Sequence, residues 1–406
     1  MEFKRVEGGV CAPKGFMAAG LHCGVRRSQA KKDIALILAE APCAAAAVYT
    51  QNKAFGAPIL VTRQNLQNGF ARAVVCNSGN ANTGNADGVE KALRMCELVG
   101  ESLKIAKEDV IVASTGVIGQ PLPIEPIKEG ISALAKALSK DGGADAAEAI
   151  MTTDTKKKEI ALEFELSGKK CRIAAMAKGS GMIHPNMATM LSFITSDVAI
   201  SPTLLDRALK SVVADSYNMI SIDGDTSTND MVSIMASGLA GNEKIESENA
   251  DYAVFAAALK TVAVEISKMI AGDGEGATKL LECAVAGAPS EKTAKLIAKS
   301  VICSALFKAA MFGEDANWGR ILCAIGYAEA EFDITKIDVN LSSPKGKIEV
   351  CKNGFGVDFS EGKAKEVLGE KEIRIGIDLR QGDFGATAWG CDLTYDYVKI
   401  NGDYRT

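Results

Sequence analysis

The stretch Lys178-Gly-Ser-Gly-Met-Ile-His-Pro-Asn-Met-Ala-Thr-Met-Leu191 joins a glycine-rich turn to a threonine preceded by a small residue. It reads as a place where the chain cuts itself. Nucleophilic catalysis by a hydroxyl needs a base, and the sequence holds only two histidines, His22 and His184, to serve a Ser-His-Asp type of relay. A Thr189 that became a new amino terminus would carry its own base. An α-amino group titrates near ~7.7–8.0, so part of it is neutral at physiological pH and lies close to Oγ1. Ala188 suits this chemistry, because a small side chain lets the preceding carbonyl approach Oγ1 for an N-to-O acyl shift. Taken alone, Ala-Thr-Met-Leu can equally begin a buried helix or strand after a turn made by the glycines.

The rest of the chain sets the frame. Its 406 residues are 47% hydrophobic and 24% charged, ordinary for a soluble protein of two or so domains. The net charge is −5, Lys and Arg are dispersed, and aromatic residues make up only 5%, which argues against nucleic acid as a partner. Eleven cysteines are an odd number, none is arranged as Cys-x-x-Cys, and they read as reduced core thiols of a cytoplasmic protein. Two distant histidines and no His/Cys cluster leave little material for a metal site. No apolar run is long enough to span a membrane.

Strand and helix signals alternate. Asp33–Ala39, Ala73–Asn77 and Val110–Ser114 are apolar runs ending in small or polar residues, which predicts strands with turns at their ends. Gly88–Leu103 and Ile124–Leu138 carry apolar residues at helical spacing and predict helices packed on a sheet. Ser201-Pro202 opens a further helix with Ser as N-cap, followed by a strand over Met219–Asp223. Helices are expected from about Asp251 to Ile270 and from Ser290 to Phe307. Asp338–Leu341, Lys347–Cys351 and Glu372–Leu379 alternate as strands. The expected architecture is a layered α/β sandwich with a smaller α+β portion at about 286–390.

Several loops hold more Gly, Asn and Thr than a turn requires. Cys76–Gly84 and Ala113–Gly119 each follow a strand, and in the second Thr115 and Gly116 can point a hydroxyl and an N–H at one developing oxyanion. Asp223–Asp230 invites a calcium reading, but it lacks Gly at the sixth loop position and has Ile234 where a bidentate Glu should fall. Gly272–Lys279 is not a Walker loop, because Ala-Thr-Lys follows Gly276. His184, next to Pro185, reads as a structural hydrogen-bonder in a rigid turn.

Together, Asn77–Asn82, Ser114–Gly119, Lys178–Leu191, Asp223–Asp230 and Ala386–Thr394 closely resemble the ornithine acetyltransferases, or glutamate N-acetyltransferases, of arginine biosynthesis. The resemblance runs nearly end to end. It implies an α/β/β/α sandwich with an N-terminal-nucleophile-like site, cut between Ala188 and Thr189 into an α chain (1–188) and a β chain (189–406). A heterotetramer of two α and two β chains is implied with it. The implied reaction moves the acetyl group of N2-acetyl-L-ornithine to L-glutamate by a ping-pong cycle through acetyl-Thr189, with Thr115 and Gly116 at the oxyanion. The resemblance further implies that Thr152, Lys178, Thr189, Glu275, Asn401 and Thr406 line the substrate pocket. A Lys ammonium suits an α-carboxylate, and a Glu carboxylate suits the ornithine amine. No cofactor or metal is implied; acetyl-CoA as an additional donor separates bifunctional from monofunctional members. The alternatives in other classes are a self-cleaving aminopeptidase or amidohydrolase of similar fold, which passes the acyl group to water, and a non-catalytic binding protein of the same fold, which would stay uncut.

Overall fold

The structure, a computed structural model, describes residues 3–184 and 190–403. Ala188, Thr189 and Thr406 lie outside the described residues. In chain order the strands are β1 (Lys4–Arg5), β2 (Phe16–Leu21), β3 (Ile34–Tyr49), β4 (Phe70–Asn80), β5 (Val110–Val117), β6 (Lys158–Leu166), β7 (Lys169–Lys178) and β8 (Leu191–Ser196). They continue with β9 (Ile220–Ser221), β10 (Met231–Ala236), β11 (Leu280–Ala288), β12 (Asp338–Ser343), β13 (Gly346–Lys352), β14 (Phe355–Gly356), β15 (Glu372–Asp378) and β16 (Phe384–Cys391). One sheet runs β1-β6-β7-β8-β10-β3-β4-β5 with β2 added on β3, and the other runs β14-β13-β12-β15-β11-β16-β9.

The long strand β3 makes the first sheet into two layers. Its first part pairs with β2 and β4, its last part pairs with β10, and the register to β4 shifts between Leu38 and Cys43. Side chains alternate along a strand, so one set of β3 residues faces inward. Ala35, Ile37, Ala39, Cys43 and Ala45 share a core with Val74, Ile111, Met176, Phe193 and Met235, which joins the β4–β5 layer to the β7–β8–β10 layer. The other set meets helices. Ile34 and Leu36 pack with Met95, Val99, Ile127 and Ile131 of the helices Gly88–Leu103 and Ile124–Ala137. Ala44, Ala46 and Val48 belong with Leu205, Leu209, Leu259 and Ile266 of the helices Pro202–Ala214 and Ala250–Ala271. The layering is therefore α/β/β/α, and strands buried on both faces explain the near-continuous apolar runs.

The second sheet lies beyond the helix Ala250–Ala271, which packs on β6 and β7 and also on β9, β11 and β16. The smaller portion expected at about 286–390 falls within the second sheet, whose strand β11 runs through 286 and pairs with β15 and β16. Three local expectations change. The helix expected over Ser290–Phe307 is two, Glu291–Cys303 and Ala305–Phe312, because Ser304 leaves helical angles and its hydroxyl caps the Phe307 N–H at 3.3 Å. The Ser201 hydroxyl makes no capping bond, so Pro202 alone marks that start. The strand expected over Met219–Asp223 shrinks to Ile220–Ser221 because Met219 belongs to a 3-10 turn. Among the described residues no helix is long and apolar enough to cross a membrane, and all eleven cysteines are free thiols.

Candidate active site

Strand ends and loops converge on a cavity of about 140 Å³ lined by Thr115, Gly116, Thr152, Lys178, Glu275 and Asn401, together with residues of the 227–229 segment. Six of the residues expected at the site are thus brought together from five segments of the chain. Thr189 and Thr406 are outside the described residues.

Thr115 and Gly116 end β5, where the parallel ladder to β4 sets Ser78 opposite Thr115 and Gly79 opposite Gly116. Gly116 is left-handed at φ 131°, and a Cβ there would sit 2.3 Å from the Gly79 carbonyl carbon. Only glycine permits so close an approach of two backbones. The asparagines of the adjoining loop are spent on internal support. Asn77 bridges Asn80 O at 2.9 Å and Ser114 Oγ at 2.6 Å, and the Asn82 N–H donates to Asn80 Oδ1 at 2.7 Å. Asn229 closes this wall from the Asp223–Asp230 segment, donating to Ala81 O at 2.5 Å and Ser114 O at 3.0 Å.

Lys178, the last residue of β7, is buried and donates to Thr115 Oγ1 at 3.3 Å. Among the described residues it has no carboxylate within ion-pair distance. Burial pushes its ammonium below the usual lysine range, against the raising pull of Asp154 and Asp230. Because Thr115 Oγ1 accepts from Lys178, its own proton stays free for the cavity. Glu275 is buried too, and Asn401 of the exposed helix Tyr395–Asp403 donates to its Oε2 at 2.7 Å. Its carboxylate lies over Gly181, where any Cβ would fall 2.3 Å from Oε2.

Asp154 ties the floor together. It accepts from the Thr152 N–H at 2.9 Å, the Gly179 N–H at 2.7 Å and the Lys158 ammonium at 2.7 Å. Burial opposes its charge, yet the ammoniums of Lys158 and Lys178 and the Gly179 amide outweigh burial and hold its carboxyl at about 2. Asp230 is different. Burial lifts its carboxyl well above the usual range, although the Ser227 hydroxyl and Lys178 work the other way, and among the described residues its Oδ2 has no hydrogen-bond partner.

The turn after β7 is gripped by the Asp223–Asp230 segment, which accounts for that acidic motif without a metal. Asp223 accepts from the N–H groups of Met182 at 2.6 Å and Ile183 at 2.8 Å, and Thr226 Oγ1 donates to His184 O at 2.8 Å. The His184 ring lies 3.1 Å from Ser221 Oγ and 3.4 Å from Cys303 Sγ. Burial first, then the Lys299 charge, lower its pKa to about 4. It is a neutral imidazole at physiological pH. His22 sits elsewhere, with Nδ1 3.0 Å from Lys31 O and 3.2 Å from Asp33 Oδ2. Among the described residues no group of His, Cys, Asp and Glu is arranged to hold a metal ion.

What the layers and the cavity define is an α/β/β/α enzyme. A family model described as the ArgJ family matches residues 17–406. The arginine biosynthesis bifunctional protein ArgJ of Caldanaerobacter subterraneus subsp. tengcongensis is 51% identical over 402 residues, 99% of each chain. Arginine biosynthesis bifunctional protein ArgJ 1 of Clostridium acetobutylicum is 54% identical over 393 residues, 96% of each chain. The crystal structure of arginine biosynthesis bifunctional protein argJ from Bacillus halodurans superposes with a TM-score of 0.51 at 46% identity, covering 53% of this chain and 100% of that one. The chain belongs to the ArgJ family of arginine-biosynthesis enzymes.

Proposed function

We propose that this enzyme transfers the acetyl group of N2-acetyl-L-ornithine to L-glutamate through an acetyl-Thr189 intermediate. One observation carries the reading. A buried ammonium, Lys178, and a buried carboxylate, Glu275, line the same small cavity, and among the described residues neither has an ion partner. Their charges complement the α-carboxylate and side-chain ammonium of an acetylated diamino acid.

Thr189 Oγ1 attacks the acetyl carbonyl carbon while the Thr189 amine takes the hydroxyl proton. The oxyanion lies against the Thr115 hydroxyl and the Gly116 N–H. The carbon–nitrogen bond then breaks, ornithine leaves with that proton, and the acetyl ester remains on Thr189. The amine of L-glutamate attacks the ester, and Oγ1 leaves as the hydroxyl with a proton from that amine. His184 has no part in this cycle, and no cofactor or metal is needed. Acetyl-CoA is proposed as a second donor, in keeping with the word bifunctional in the relatives' names. Acetylation of glutamate with acetyl-CoA as sole donor tests it.

Self-cleavage after Ala188 would leave 188 and 218 residues, assembled as two of each chain in the cytoplasm. Coverage of the Bacillus halodurans chain supports the cut: that whole chain matches 53% of this one, and 218/406 is about 54%. Intact mass spectrometry should give roughly 20 and 23 kDa, the 188/406 and 218/406 shares of 42.6 kDa. Thr189→Ala should give a whole and inactive chain, because both cleavage and transfer lose their nucleophile. A single 42.6 kDa species from active wild-type enzyme overturns the reading.

A further inference from the structure

Lys158 opens β6, about 20 residues before Lys178, and is 1% exposed. Its ammonium donates to Asp154 Oδ1 at 2.7 Å, to Asp273 Oδ2 at 2.6 Å and to Lys156 O at 3.4 Å. Those three bonds use all the donors an ammonium has, so Lys158 has none left for a substrate. What it does hold is the relative position of three segments. Asp154 reaches Thr152 on one side and Gly179, directly after Lys178, on the other. Asp273 receives the N–H and hydroxyl of Thr155, and its own carbonyl receives Ser180 Oγ at 2.7 Å. Two residues on, the Glu275 N–H donates to Ser180 O at 2.9 Å. Among the described residues no strand ladder joins the 150–157 loop to the 272–279 loop. A buried charge triad gains little net stability over apolar packing, because desolvation offsets the attraction. What it fixes is distance.

We infer that Lys158 is a positioning residue for the substrate cavity, its ammonium clamping Asp154 to Asp273 so that Thr152, Lys178 and Glu275 face one another. The inference rests on the acetyl-transfer reading above. Lys158→Met alone strands two buried carboxylates and can lower the yield of folded protein. The charge-balanced Lys158→Met/Asp273→Asn variant leaves Asp154 with Lys178 as its cation and keeps the test open. Full-length protein is purified, its fold checked by circular dichroism, and KM and kcat are measured for N2-acetyl-L-ornithine with L-glutamate as acceptor. The folded double variant should show KM raised about tenfold or more, because a misplacement of the order of 1 Å among binding groups has effects of that size or larger. A role confined to folding would lower kcat by the inactive fraction and leave KM alone. Wild-type transfer with KM in the double variant within twofold of wild type overturns the clamp and leaves the function standing. Wild-type enzyme that moves no acetyl group from N2-acetyl-L-ornithine to L-glutamate overturns the function, and the clamp falls with it.

Discussion

Thr115 and Gly116 stand near the end of β5, held by the parallel ladder that joins it to β4 from Ala73 to Asn80. Across the cavity, Thr152 and Glu275 stand on loops held by side chains, chiefly the carboxylates of Asp154 and Asp273. The first wall is set by backbone geometry and so is sensitive to added volume. The second is set by charge and so is sensitive to the loss of a partner. In the proposed reaction the difference also sorts the chemistry: the wall that would meet a developing oxyanion without reorganising is the one made of strand ends.

Gly116→Ala is the strongest way to break that contrast. Its Cβ would lie 2.3 Å from the Gly79 carbonyl carbon and 2.6 Å from the Asn80 nitrogen, at a backbone angle that alanine avoids. We expect kcat to fall by about 10³ or more, since both strand ends must move and the N–H loses its aim. Near-normal turnover in the variant would show that the ladder does not set this wall. Thr115→Val comes next. It keeps the shape and removes one hydroxyl, which should lower kcat by about 10²–10³ with much less effect on KM. Turnover within a few-fold of wild type would make Thr115 a turn residue only.

The smallest effect is expected at His184, which belongs to neither wall. His184→Asn in fully cleaved enzyme should keep transfer at pH 7–8 within a few-fold of wild type, as should His22→Asn. Loss of transfer in either would replace the self-contained threonine by a Thr-His pair. A stability profile sharpens the point. The folded chain protonates His184 only near 4, whereas an ordinary histidine does so near 6.5. Between these pH values the unfolded chain holds more protons, so stability is intact above about 6.5 and falls as pH drops toward 4. Thermal melts of His184→Asn against wild type across that window should show a shallower fall in the variant.

How far the sequence could be read follows the same division. Gly88–Leu103 is a helix at its expected limits because a strong apolar stripe with Glu and Lys opposite admits little else. The β6–β7 hairpin also carries a local signal, since Lys158–Leu166 alternates in the strand period and Ser167 and Gly168, both at positive φ, supply the tight turn. β8 and β10 are short runs buried on both faces, which periodicity cannot tell from helix. At the cavity, the glycine-rich loops are legible as loops, while Thr152, Lys178, Glu275 and Asn401 follow only from family resemblance. The clamp left no local signal. Lys156-Lys157-Lys158 reads as one solvated charge run, and the fold exposes the first two and buries the third. Asp273 is 115 residues from Lys158, so only the tertiary fold brings the partners together.

The strand order of the first sheet gives a cut after Ala188 an unusual meaning. Such a cut would put β1–β7 on one piece and β8–β16 on the other. Yet β8 and β10 lie in the interior of the sheet, with six residue pairs to β7 on one side and six to β3 on the other. Without them the first piece holds two ribbons, β1-β6-β7 and β2-β3-β4-β5, that touch through core side chains but share no ladder. Neither product then holds the first sheet whole, although the second sheet would lie entirely on the second piece. Severing the chain would be permanent without being separative: two polypeptides would inherit a single cooperative transition, and halves made apart would have to rebuild a sheet from its middle rather than dock two finished surfaces.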